Sequence, residues 1–343
     1  MLEKMKGDFF QRNEISTLRR DWDSEQTQAY IRELPIWTGD IQIEQKFGGL
    51  QNRTYFVTDG DGERYAVRCG FDQYRTRQTS VVNCTIGAAK LGLGPKLRYA
   101  EPSLTITDFI KGPKMQEAQL REPKMMAHVI ERIKALHEGS DAVEETMSYW
   151  WVFQTIRRYL NAMEKGKAAT GFKPSQWLDE VPRFRDITYR LERAIGPFTP
   201  TFTHNDLAYV NMIFGDDGQV LFIDWDGGGF GHPMWDLGEM LMWLESDEEM
   251  NRFAFGCYFG KLDEPAMQKL LHEHRAFQIM ASLRLITEIM ETDLDPYFYL
   301  TPEEMAESMQ EFFPGEQAHL NGLIDLLRPN FERMWAKYGD DYP

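Results

Sequence analysis

The chain has 343 residues, 42% hydrophobic and 13% aromatic, which is enough for a packed core and room for two domains, and too apolar for a disordered chain. Its 38 Lys and Arg against 54 Asp and Glu leave a formal charge of −16. That argues against a nucleic-acid partner, whose phosphates call for basic patches, and suits either a small cationic ligand or plain solubility. Three widely spaced cysteines, Cys69, Cys84 and Cys257, exclude a disulfide framework or a CxxC metal site. With no signal-type apolar run and no stretch of about 18 apolar residues, a cytoplasmic chain without membrane insertion is expected.

Residues 1–40 read as a polar helical extension ending in "LPIWTGD". From 41 the pattern changes to strands. "IQIEQKF" alternates at period two; "RTYFVT" and "RYAVRCG" flank the turn "DGDGE", a hairpin signal. "TSVVNCTIGAAKLGLG" predicts a helix ending at Gly92 or Gly94 with Pro95 beyond, and "SLTITDFIKG" a further strand running into a loop. After 113 helices dominate. In "KMMAHVIERIKALHEG" the residues Met125, Met126, Val129, Ile130, Ile133 and Leu136 share one face, so these methionines are core packing. "RFAFGCYFGKL", "QKLLHEHRAFQIMASLRLITEIME" and "GLIDLLRPNFERMWAKYG" read as helices too. The expected organisation is α+β: residues 1–40 as an extension, 41–112 as a small antiparallel-sheet lobe with one helix, and 113–343 as a larger helical lobe.

The helical half is interrupted by "THNDLAYVNMIFGDDGQVLFIDWD", residues 203–226. "MIF", "GDDG" and "VLFID" read as strand, turn, strand. Pairing Phe214 with Val220 sets Asn211 opposite Ile223, with Asp224 beside them. Strands lie about 4.8 Å apart, so the hairpin brings an amide and a carboxylate that are distant in sequence into one small volume. Asp206 enters from the preceding loop. Oxygen ligands without His or Cys suit a hard cation such as Mg²⁺, shared with water and phosphate. Phosphoryl transfer needs such a set: an Asp that accepts the acceptor's hydroxyl proton, then an Asn and a later Asp that hold metal. Here the pattern is H-x-D-x-x-x-x-N through His204, Asp206 and Asn211, followed by Asp224 and Asp226. A lone H-x-D would be no more than a solvated loop; the hairpin and the later Asp make the combination specific.

"THNDLAYVNMIF...LFIDWDGGGFGHPMWDLGEM" resembles the choline/ethanolamine kinase branch of the aminoglycoside phosphotransferase-like kinases, which have a two-lobed protein-kinase-like fold. "LPIWTGDIQIEQKFGGLQNRTYFV", "GLGPK", "FIKG" and "IKALHEG" resemble further landmarks in the same order, over roughly residues 35–330. The resemblance implies an ATP- and Mg²⁺-dependent kinase with Asp206 as the catalytic base. Asn211 and Asp224 would be metal ligands, and Asp226 a further carboxylate for the metal. It implies that His204 braces the loop and that Asp236 fixes it. Gly48, Gly49 and Asn52 would cover the nucleotide phosphates, Arg68 would contact them, and the backbone of Asp108 to Ile110 would pair with adenine. One departure stands out: the family's Lys or Arg is paired with a helix Glu, yet residues 78–91 contain no Asp or Glu, leaving Gln78 or Asn83 as partners for Arg68.

The acceptor site is expected in the helical lobe beside Asp206. A quaternary ammonium calls for aromatic faces and carboxylates, for which Trp150, Trp151, Phe153, Tyr209, Trp235, Trp243, Glu239 and Glu288 are candidates. Arg284 is out of place in a purely cationic pocket and opens the way to an acceptor with an anionic group. The first reading is a kinase for an amino-alcohol such as choline or ethanolamine. The alternatives are an aminoglycoside or another hydroxylated small molecule as acceptor, or a nucleotide binder with little or no turnover. Oligomeric state is left open, a homodimer being one compatible assembly.

Overall fold

The computed structural model describes residues 18–19, 21–47, 52–70, 75–101, 103–144, 146–168, 171–172, 176–292, 301–312 and 320–343. The expectations for residues 1–17 and for Gly48 and Gly49 lie outside them.

Helix α1 (Ser24–Arg32) opens on a reciprocal cap: the Asp23 side chain accepts from the Gln26 N–H, and the Gln26 side chain accepts from the Asp23 N–H. Strands β1 (Gln42–Lys46), β2 (Arg53–Thr58) and β3 (Arg64–Cys69) follow, then helix α2 (Arg75–Lys90), β4 (Leu97–Glu101) and β5 (Leu104–Asp108). They form one antiparallel sheet in the order β1-β2-β3-β5-β4. Alternation dictates its inner face: Tyr55 and Val57 of β2, Val67 and Cys69 of β3, and Leu104 and Ile106 of β5 are buried together. Leu18, Ile31 and Leu34 complete the same cluster, so α1 closes the sheet's core rather than standing apart from it. β4 carries little apolar alternation, with only Leu97 buried, and is not recognisable as a strand from the sequence. After α2 the chain turns at Gly92, whose φ of +67° favours glycine.

The larger lobe is helical: α3 (Pro123–Glu138), α4 (Val152–Lys165), α5 (Val181–Glu192), α6 (Pro233–Trp243), α7 (Glu248–Phe259), α8 (Glu264–Thr292), α9 (Pro302–Phe312) and α10 (Leu320–Tyr338). The long α8 runs through the middle, packed by α4, α6 and α10. Each fully buried apolar side chain there, such as Phe277 or Leu241, contributes roughly 1.5–3 kcal/mol. Short strands interrupt the helices, among them β6 (Thr201–Thr203), which pairs with β9 (Gly229–Gly231), and β7 (Met212–Phe214), which pairs with β8 (Val220–Phe222).

The segment leaving β5 joins the two lobes by pairing with β7. The Phe214 N–H donates to Pro113 O (3.1 Å), and the Met115 N–H to Met212 O (2.8 Å). Gly112 makes this approach possible: its φ is +142°, and a Cβ there would lie 2.2 Å from Phe214 O. A second tie comes from α9. Arg53 of β2 is 1% exposed and donates from Nε to Glu304 Oε1 and from Nη2 to Glu304 Oε2, both at 2.8 Å, while its Nη1 reaches Trp22 O at 2.6 Å. Gln45 of β1 donates to the same carboxylate (2.8 Å). Glu304→Ala strands this guanidinium, and the expected cost is about 3 kcal/mol of unfolding free energy, measured by urea denaturation.

Candidate active site

The hairpin has the expected register, Val220 opposite Phe214 and Phe222 opposite Met212. The ladder extends one step further: the Ile223 N–H donates to Asn211 O at 3.0 Å. The His204 Nε2–H donates to Ile223 O (2.8 Å), so this ring braces the loop before the hairpin against the hairpin's end.

Residues 204–208 form a loop buried against α6, and its backbone donors need acceptors. Two α6 carboxylates three residues apart, on one helix face, supply them. Asp236 accepts from the His204 N–H (2.9 Å) and the Asn205 N–H (2.8 Å), and Glu239 from the Leu207 N–H (3.0 Å). Asp236 also accepts from His137 Nε2 (3.1 Å); that tautomer leaves His137 Nδ1 to accept from the Tyr258 hydroxyl (2.7 Å). His137 is a part of the site that sequence reasoning missed, since a single His in an amphipathic helix carries no signal of its own. Asn205 sits at φ +63°, a left-handed conformation that Asn tolerates, and its amide donates to Gly227 O (2.9 Å).

Held this way, Asp206 meets Asn211. The Asn211 amide nitrogen donates to Asp206 O (2.9 Å) and to Asp206 Oδ2 (3.2 Å), leaving the amide oxygen as the end available to a cation. Asp224 follows β8 in a left-handed conformation at φ +64°, uncommon for a non-glycine residue and typical of functional turns. Its Oδ1 is buried and accepts no hydrogen bond among the described residues, although 37% of the side chain is exposed. Burial pushes its carboxyl pKa up, the guanidinium of Arg68 opposes this, and the charges of Asp226 and Asp206 add to the rise. Asp206 and Asn211 are thus in direct contact, and Asp224 feels the charges of both Asp206 and Asp226.

Arg68 arrives from β3. It donates through both terminal nitrogens to Asp226, and its Nη2 is 3.3 Å from Asp224 Oδ1. Burial lowers the Arg68 pKa and the two carboxylates raise it further, leaving it above the usual value. Of the two expected helix partners, Asn83 donates to Thr146 O at 2.6 Å instead, and the side chain of Gln78 lies outside the described residues. The opposing α2 face instead offers Ser80, which donates to Gly228 O (3.1 Å). Asn52 also reaches across, its amide donating to Asp226 Oδ2 (3.3 Å). Asp108 ends β5 in an ion pair with Arg98, and the chain continues through Ile110 into the segment joining the lobes.

The structure separates the acceptor candidates. Glu239 and Glu288 lie near Asp206 through Arg284, whose Nη2 is 3.4 Å from Asp206 Oδ1 and whose Nη1 is 3.5 Å from Glu288 Oε2 and 3.9 Å from Glu239 Oε1. Tyr209 is half-buried in the turn before Asn211. The tryptophans go elsewhere. Trp235 is 1% exposed and packs on Trp150 and Phe277, while Trp151 donates its indole N–H to Glu192 (2.7 Å) and packs against Phe153 and Phe198. Trp243 ends α6 with its indole nitrogen buried. These rings complete the core of the helical lobe.

The choline/ethanolamine kinase family model matches residues 44–281, more than half of the chain. The chain belongs to the choline/ethanolamine kinase family. Protein LicA of Haemophilus influenzae is 23% identical over 187 residues, 54% of this chain and 50% of LicA, so the chain spans about half the length of that curated relative. The choline/ethanolamine kinase family protein of Mesorhizobium loti superposes with a TM-score of 0.62 at 18% identity, over 92% of this chain and 94% of that one. An amicoumacin kinase in complex with AMP-PNP, Ca²⁺ and amicoumacin superposes at 0.61 with 14% identity, over 89% and 94%. At such identities the likeness is one of fold, and it is the expected two-lobed kinase-like α+β fold. No described helix is long and apolar enough to cross a membrane.

Replacing Asp236 with Ala leaves the His204 and Asn205 N–H groups buried without acceptors. The expected loss is about 3 kcal/mol, read as a lower urea midpoint with an unchanged slope.

Proposed function

We propose that this chain is an ATP-dependent phosphotransferase that phosphorylates a hydroxyl of a small amine-bearing alcohol. The observation that carries this reading is the contact between Asp206 and Asn211 beside Asp224 and Asp226, with Arg68 reaching the same carboxylates from the sheet lobe. Family membership and the AMP-PNP complex of the amicoumacin kinase support a nucleotide between the lobes.

Asp206 is 32% exposed, its Oδ2 held by the Asn211 amide and its Oδ1 in a long contact with Arg284, so its carboxylate can orient an acceptor hydroxyl and take its proton as the bond to the γ-phosphorus forms. Arg68 would carry a fixed positive charge to the phosphates. Gly48, Gly49 and Asn52 would cover them, and the backbone of Asp108 to Ile110 would meet the base.

The donor set fits Mg²⁺. Two carboxylates and an amide oxygen are hard ligands, and Asp224 brings a buried oxygen without a hydrogen-bond donor. Among the described residues no group of three or more His, Cys, Asp or Glu side chains forms a metal cage by itself. When bound, Mg²⁺ neutralises phosphate charge; Asn211, Asp224 and Asp226 would hold it.

ADP release in the presence of ATP, Mg²⁺ and a panel of hydroxylated amines tests the reading. Asp206→Asn is expected to lower turnover by about 10²–10⁴-fold while nucleotide affinity stays within roughly threefold, the change of a non-contacting residue. Turnover unchanged in that variant contradicts the role of Asp206. Arg68→Met is expected to weaken ATP binding by about tenfold or more, the loss of a charge-assisted phosphate contact, as measured by calorimetry.

A further inference from the structure

Resting on the phosphotransferase reading, we propose that the acceptor is a zwitterion, a hydroxylated amino acid whose carboxylate is bound by Arg284 and whose ammonium is bound by Glu288 and Glu239.

The argument begins with what Arg284 lacks. A guanidinium has five N–H donors in a rigid fork that matches a carboxylate. Arg284 is 9% exposed, and among the described residues its guanidinium makes one hydrogen bond, the 3.4 Å contact with Asp206 Oδ1. Its other carboxylate neighbours stand at 3.5 and 3.9 Å, and none of the three is engaged through two parallel bonds. Arg53 shows how this chain treats a guanidinium that serves packing alone: two 2.8 Å bonds to one carboxylate and a third to a carbonyl. Arg284 is buried at comparable cost with its donors loosely used, beside the residue that receives the acceptor hydroxyl.

Glu239 has the complementary vacancy in hydrogen bonding. It is fully buried, its Oε2 takes the Leu207 N–H, and its Oε1 has no hydrogen-bond partner among the described residues while facing Arg284. Glu288, one turn beyond Arg284 on α8, accepts from the Tyr159 hydroxyl on its Oε1 (3.2 Å), and its Oε2 lies 3.5 Å from the guanidinium. Glu239, Arg284 and Glu288 thus alternate acid, base, acid around Asp206. Such a row is a poor match for a quaternary ammonium. The nearest positive charge to the base would repel it, and of the candidate tryptophans Trp235 is buried in the core while Trp150, Trp151 and Trp243 pack against it. It is equally poor for a hydroxy acid without an amine, which would face carboxylates with nothing to offer them. A molecule carrying both charges within two or three bonds of its hydroxyl answers each.

In the reaction the acceptor's hydroxyl oxygen bonds to the γ-phosphorus of ATP. The bond to the β–γ bridging oxygen breaks, ADP leaves, and the hydroxyl proton passes to Asp206. The carboxylate and ammonium are untouched, and the product is an O-phosphoamino acid.

The test measures ADP release by the full chain with ATP and Mg²⁺. The acceptors are L-serine and L-homoserine, each compared with ethanolamine, which lacks the carboxylate, and 3-hydroxypropionate, which lacks the amine; choline and spectinomycin complete the set. The better amino acid is expected to exceed ethanolamine and 3-hydroxypropionate at least about tenfold in kcat/KM, the effect of one charged hydrogen bond. Arg284→Gln is expected to reverse the order of amino acid and ethanolamine, and Glu288→Gln to raise KM for the amino acid. Ethanolamine, choline or spectinomycin outranking both amino acids overturns the proposal and leaves the kinase reading standing. Equal use of 3-hydroxypropionate overturns the role of the two glutamates. ADP release with no acceptor in the set overturns the kinase reading as well. The ranking in the native chain decides the matter even where a variant fails to fold.

Discussion

Mutual repulsion among acidic side chains is the constraint around which this molecule is arranged. Asp224 and Glu239 each feel the negative charge of Asp206, and Asp224 that of Asp226 as well, and like charges in a partly buried site repel far more strongly than in water. Two guanidiniums offset this from opposite sides, Arg68 from the sheet lobe on Asp224 and Asp226, and Arg284 from the long helix on Asp206 and Glu239. Burial and the neighbouring acids keep Glu239 well above the usual carboxylate range despite Arg284.

The scaffold shows how such a cluster is held. Backbone donors of the loop at 204–208 are satisfied by α6 acids, the loop is braced to the hairpin by His204, and the hairpin is extended by the segment that leaves the sheet. Each tie joins elements far apart in sequence, so the geometry of Asp206 and Asn211 depends on the helical core being complete. The Arg53–Glu304 pair does the same for the sheet, fixing the strand that begins next to Asn52 to a helix near the C-terminal end.

Much of this was legible in the residues themselves. The hairpin register follows from apolar alternation around "GDDG", because a slip of one residue would turn every side chain to the wrong face. The spacing of Asp206 and Asn211 is local and survives as a direct contact. What could not be read is non-local. Arg68 finds Asp224 and Asp226, just past the hairpin of the other lobe, and no pattern near Arg68 encodes that. The aromatic pocket expected from Trp151 and Trp235 gives way to a core in which large rings are buried against one another, since burial takes precedence for side chains of that size. Arg284 stood out in the sequence as out of place in a pocket for a cation; only the fold reveals that it touches Asp206.

The central claim is that residues distant in sequence hold one divalent ion beneath a nucleotide's terminal phosphates. Calorimetric titration of a non-hydrolysable ATP analogue, with and without Mg²⁺, into the native chain and Asp224→Ala tests it most directly. The account predicts binding to the native chain that weakens at least about tenfold without Mg²⁺, and binding to the variant with Mg²⁺ present that is no tighter than this metal-free level. Equal affinity in all these conditions would contradict it.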